Sequence, residues 1–150
     1  MAVVHTHSPA VIPFSVASGA ELRAVSHMGS FLGVHTPVFE IRDVAGDASD
    51  LLIRDNALGH ALARSLGKGP AVLMRGHGCA VASASVREVV FTCIYLQTNA
   101  HLQLQILSTG REPRYLSDGE IERTTTTLFQ PLTQERTWTT WSRRISLGSE

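Results

Sequence analysis

A chain of 150 residues can build one domain with a real core, and is too short for two comfortable ones. Hydrophobic residues at 43% and charged residues at 17% exclude disorder, and 13 basic against 13 acidic side chains argue against a nucleic-acid or membrane-surface protein. The 2 cysteines, Cys79 and Cys93, lie in apolar segments without a CxxC spacing and read as free thiols; with no signal peptide and no membrane span, this predicts a soluble cytoplasmic protein.

In chain order, residues 2–5 (AVVH) read as a short buried strand. Pro9, with Ser8 as cap, suits the first turn of a helix that Pro13 keeps short. Residues 37–44 (PVFEIRDV) alternate imperfectly and predict a half-exposed strand, and GDASD after them is a loop. Residues 51–67 predict a helix over most of their length, with a stripe of Leu58, Ala61, Leu62 and Ser65 and a stop at Gly67. PAVLMRGHGCAVASA is an apolar strand, a glycine-flanked break and a second strand. Residues 85–110 predict a long helix, with Ser85 and Glu88 as a capping box and Val86, Val89, Cys93, Ala100, Leu104 and Leu107 inward. A second capping box, SDGE, opens a helix toward Gln130, in which four consecutive threonines at 124–127 are unexpected because threonine is a weak helix former. A last helix from Pro131 to about Arg144 carries Trp138 and Trp141 on one face. The order predicts an α/β or α+β sandwich with a helical C-terminal cap.

The histidines carry the chemistry. His5 and His7, two apart, project from the same face of a strand, whereas on a helix they would diverge by roughly 200°. A metal site needs a third ligand. His60 shares a helix face with Asn56 and Arg64 and reads as solvated, His101 as packed or interfacial, and His35 as a loop residue. His27, in a glycine-bounded stretch, is a candidate substrate group. His77 ends an apolar strand between Gly76 and Gly78, which allow the backbone close to a bound group; the plainer alternative is that it only caps a turn. Three neutral imidazoles with an open position suit Zn²⁺ and, with less preference, Mn²⁺, Fe²⁺ or Co²⁺.

At these residues the chain resembles the class II aldolase/adducin family. VVHTHSP and VLMRGHG are similar to its paired and third histidine motifs, SVREVVFTCIYLQTNAHLQLQ to the long helix that follows, and RTWTTWSRR to a tryptophan-bearing terminal helix. The resemblance implies a three-layer α/β/α sandwich around a mostly antiparallel sheet. It also implies a divalent metal on His5, His7 and His77, and a homotetramer with sites between subunits. HTHSPAVIPFSV, LMRGHG and IYLQTNA look more like the branch that decarboxylates hydroxylated aromatic or pyridine dicarboxylates than the sugar-phosphate aldolases. Family members carry further strands, a glycine-rich phosphate loop and an acidic catalytic residue upstream of the first histidine. Residues 1–150 are therefore expected to be one domain, the C-terminal part of a family member left by a truncated gene or a late start codon.

The chemistry so implied forms a carbanion beside a metal-bound oxygen. Arg75, two residues before His77 on an extended segment, is expected to bind a substrate carboxylate from the same face, as a catalytic or substrate-binding group. Ser8 and His27 are further candidates for the substrate pocket; Tyr95 is either a proton donor or, more ordinarily, core. The alternatives are a class II aldolase acting on a small hydroxy-carbonyl compound, an adducin-like interaction module, and an inactive fragment.

Overall fold

A computed structural model describes residues 1–147. The elements are β1 (Ala2–Thr6), α1 (Ile12–Val16), a 3-10 helix (His27–Leu32), β2 (Val38–Phe39), α2 (Arg42–Ala45), α3 (Asn56–Leu66), β3 (Ala71–Met74), β4 (Gly78–Ser83), α4 (Val86–Ser108), α5 (Asp118–Leu128) and α6 (Pro131–Leu147). The strands form one sheet in the order β1-β4-β3-β2, antiparallel except where β2 runs parallel to β3. No helix among the described residues is long and apolar enough to cross a membrane.

Alternation along the strands divides the apolar residues between two faces. Leu73, Cys79 and Val81 join Val89, Phe91, Leu96 and Ala100 of α4 in one core. Val72, Met74 and Ala80 join Phe39 of β2 and Leu58 and Ala61 of α3 in the other. All four residues of β3 are buried, as expected of a strand covered on both sides. The expected α/β/α layering is therefore present, with one asymmetry. Helix α4 packs on β1 and β4, whereas α3 packs on β2 and β3, so on the α3 face the β1–β4 half of the sheet carries no helix among the described residues. Val3 points out there, 66% exposed.

Several boundaries differ from those expected. Residues 37–44 are a strand only at Val38–Phe39, because the Glu40 carboxylate accepts from the Arg42 backbone N–H (3.0 Å) and turns the chain into α2. The helix expected over most of residues 51–67 runs from Asn56 to Leu66, capped by the Asp55 side chain, which accepts from the Leu58 N–H at 2.9 Å. Leu51 itself has φ +66°, which a right-handed helix cannot include. Pro13 lies in the first turn of α1 rather than limiting it, and the Ser8 carbonyl, not its hydroxyl, accepts from Val11 and Ile12. In α4 the buried stripe includes Val89, Leu96 and Gln103, and Val86 is exposed. The capping box at Ser117 and Glu120 is formed as expected. The threonine run is accommodated because Thr124, Thr126 and Thr127 donate to carbonyls four residues back and Thr125 donates to Ser30. Trp141 stacks against Tyr95 and Phe91, so Tyr95 is part of an aromatic core. Cys79 and Cys93 are free, and burial pushes the Cys79 thiol up to about 12.

Buried amides of α4 hold the backbone of residues 21–25. Asn99 Oδ1 accepts from the Val25 N–H (3.0 Å) and its Nδ2 donates to the Arg23 carbonyl (2.7 Å). One turn on, Gln103 accepts from the Arg23 N–H (3.1 Å) and donates to the Glu21 carbonyl (2.7 Å). Asn99→Leu keeps the branched shape, adds bulk, and leaves both backbone partners unpaired in the interior. The expected loss is about 2–4 kcal/mol in urea unfolding of the purified chain.

Candidate metal centre

The uncovered half of the sheet is where the histidines meet. His5 projects from β1 opposite Ala80 of β4, and its Nδ1–H donates to the Cys79 carbonyl at 3.0 Å. That bond fixes the tautomer and leaves a lone pair on Nε2. His7, on the same side two residues later, brings its own Nε2 to 2.8 Å from it.

His77 arrives from the β3–β4 connection. Residues 75–77 are a turn rather than the expected extended strand end, closed by the His77 N–H on the Met74 carbonyl at 3.0 Å. Gly76, at φ +67°, occupies the position of such a turn that requires a left-handed backbone. Gly78 serves a second purpose. A Cβ there would lie 2.3 Å from the Thr6 carbonyl oxygen and 3.2 Å from His7 Cδ2, so its absence lets the end of β1 close onto the turn. The result is a triangle of rings with centroids 4.7, 4.8 and 4.7 Å apart.

The donor set fits a divalent cation. One candidate ligand atom from each of His5, His7 and His77 lies within 4.8 Å of the others. Nitrogens about 2.1 Å from a common ion would lie roughly 3.0–3.4 Å apart, close to the His5–His7 separation. His77 Nδ1 is buried without a hydrogen-bond partner. Burial first, then the nearness of His5 and His7, hold the His77 ring below the ordinary histidine pKa, with a weaker opposing contribution from the Leu51 backbone. A neutral ring is the form that binds a metal.

The triangle opens onto a cleft of about 700 Å³ walled by Val3, Leu52, Ile53, Leu62, Met74 and Ala80. Besides the histidines, its one polar lining residue is Arg54, in the loop ahead of α3. The sequence signal for Arg54 is an Asp50–Arg54 pair four residues apart, which does form, Arg54 Nε donating to Asp50 at 2.6 Å.

The other expected site residues lie outside the cleft lining. Arg75 sits in the turn, not on an extended face beside His77, and its Nε donates to Glu40 at 2.8 Å. Glu40 also binds Arg42, and hydrogen bonds from Arg42 and Arg75 hold its carboxyl down at about 2. Ser8 is 4% exposed and its hydroxyl has no partner. His27 is exposed at the start of the 3-10 helix, which packs on α4 and α5. His35 faces Glu21 at 3.7 Å, and His60 and His101 are exposed.

Comparison with known proteins bears on the family and the fold. The family model described as Class II Aldolase and Adducin N-terminal domain matches residues 1–104. Decarboxylase tropJ of Talaromyces stipitatus is 33% identical over 97% of this chain and 61% of its own length. The 3,4-dihydroxyphthalate decarboxylase of Arthrobacter keyseri is 32% identical over 80% of this chain and 47% of its own. This chain thus spans about half to three fifths of those relatives. Among solved structures, an aldolase II superfamily protein from Pseudomonas syringae superposes with a TM-score of 0.75 at 18% identity, over 98% of this chain and 57% of that one. L-fuculose 1-phosphate aldolase gives a TM-score of 0.66, also at 18% identity, over 84% and 54%. At those identities the structures establish the fold alone.

Proposed function

The chain belongs to the class II aldolase/adducin family, and from that premise we propose that it carries the metal-binding part of a lyase that decarboxylates a hydroxylated aromatic or heteroaromatic carboxylate. The observation that carries the reading is the convergence of His5, His7 and His77 at the rim of an apolar cleft. When bound, a divalent ion supplies Lewis acidity that stabilises an oxyanion as the carbon–carbon bond breaks. Zn²⁺ suits an all-imidazole set best, with Mn²⁺, Fe²⁺ and Co²⁺ as alternatives.

The protein's own part is positioning. The Cys79 carbonyl orients His5, the Gly76 turn presents His77, and the missing Cβ at Gly78 sets their approach to His7. Leu52, Ile53, Leu62 and Met74 offer walls to a flat ring and exclude water from it. Such a lining favours an aromatic acid over a polyhydroxylated sugar phosphate, whose hydroxyls would find few partners. Loss of CO₂ leaves an electron pair on the ring carbon, and a proton then replaces the lost carboxyl.

In the same reading, residues 1–150 are one domain of a cytoplasmic protein whose full-length form is a homotetramer with sites between subunits; the open cleft leaves room for a neighbouring subunit to complete the site. The test is to incubate the zinc-loaded chain with 3,4-dihydroxyphthalate and follow CO₂ and the ring product by chromatography. The expected result is loss of one carboxylate per ring, stopped by a chelator and restored by zinc. Turnover indifferent to chelation would count against the proposal, and so would a purified chain that takes up no zinc.

A further inference from the structure

We infer that Arg54 is the residue of this cleft that takes the substrate's carboxylate, an inference that rests on the aromatic-acid reading above and assigns the recognition within it. Arg54 is the one formally charged side chain lining the cleft, and none of the lining residues is acidic. An anionic group entering there meets a single guanidinium and three imidazoles against hydrocarbon walls. Arg75, the other arginine near the histidines, is spoken for: its Nε is held by Glu40, it is only 27% exposed, and it does not line the cleft.

Arg54 is available where Arg75 is not. Its partner Asp50 is exposed, and the two side chains are 65% and 50% accessible, so the ion pair contributes little and exchanges readily for another carboxylate. Nε and one Nη of Arg54 address a single Asp50 oxygen, which leaves further N–H donors of the guanidinium for a second carboxylate. The loop that presents it is built rather than loose. Ser49 Oγ accepts from the Leu51 N–H at 3.1 Å and Asp50 Oδ1 from the Leu52 N–H at 3.1 Å. Leu51 is the single non-glycine residue with positive φ among the described residues, and its side chain packs into the α3 core and beside Gly76. That left-handed step is followed directly by Leu52, Ile53 and Arg54, which all line the cleft. Strain held by packing at such a place is characteristic of a binding loop.

The test compares 3,4-dihydroxybenzoate with catechol, which has the same ring hydroxyls and no carboxylate, by calorimetric titration of the zinc-loaded chain. Arg54→Gln is expected to weaken 3,4-dihydroxybenzoate about 10- to 100-fold while catechol binding stays within about twofold, because only a charge-assisted pair to the carboxylate is lost. Arg75→Gln, run alongside with thermal melts of both variants, is expected to leave the ratio of the two affinities unchanged. If Arg54→Gln leaves that ratio at its wild-type value, or Arg75→Gln abolishes it, the assignment is overturned while the metal site stands. If neither ring binds the wild-type protein, the aromatic-acid reading and the assignment fail together.

Discussion

A His77→Ala chain is expected to bind zinc on the order of 100- to 1,000-fold more weakly than the wild type, as read by competition with a chromogenic chelator. His5 and His7 alone come from one edge strand and offer two donors, and His77 closes the triangle from the neighbouring turn. The variant separates a metal site from a structural histidine cluster. His77 Nδ1 is buried without a partner, so in the absence of metal removing the ring costs only its weaker contact with the Leu51 backbone. The metal-free variant should therefore melt within a few degrees of the metal-free wild type, and only the wild type should gain substantially from added zinc. His60→Ala, exposed on α3, is the control and should bind as the wild type does. Equal zinc affinity in His77→Ala and wild type would remove the metal centre and the lyase reading built on it.

The parts of this site legible in the sequence are those fixed by short-range rules. A β-branched run ending in HTH can only present both rings from one side of a strand, and β1 does so. Ser85, Ser117 and Gly67 mark helix ends through local hydrogen bonds or backbone freedom, and they lie where expected. The misreadings share one physical cause. Counting residues along a strand puts Arg75 on the face of His77, but Gly76 turns the chain between the two. Glu40 interrupts a period-2 pattern because its carboxylate binds the backbone of Arg42 and the side chain of Arg75, the latter 35 residues away in sequence. Leu51 adopts a conformation that no leucine prefers, held by tertiary packing, and that single residue decides that 52–54 form the lip of a cleft instead of a helix. Periodicity reports which residues prefer burial; it does not report a side chain that captures a distant backbone group or a strained residue paid for by its surroundings.

Gly78→Ala is expected to damage the cluster without touching a ligand. The position has an ordinary negative-φ or extended backbone that alanine tolerates, since Gly78 is not among the positive-φ residues, so the whole effect is steric. The added methyl would sit 2.3 Å from the Thr6 carbonyl oxygen, which is backbone and cannot rotate away. Relief requires moving the end of β1, where Thr6 is in register with Cys79 and His5 with Ala80. That displacement carries His7 away from His5 and His77 and weakens the Cys79 carbonyl's hold on the His5 ring. The expected cost is about 1–3 kcal/mol of stability in urea unfolding, together with a loss of zinc affinity of roughly tenfold or more, comparable to losing an orienting partner of a ligand. Gly119→Ala on α5, where a Cβ meets nothing within 4 Å, is the matching control. It should leave zinc affinity unchanged and, because Gly119 lies in the first turn, stabilise the chain by less than about 0.5 kcal/mol. A Gly78→Ala protein with wild-type zinc affinity would show that β1 and the turn need not approach this closely for the histidines to act together.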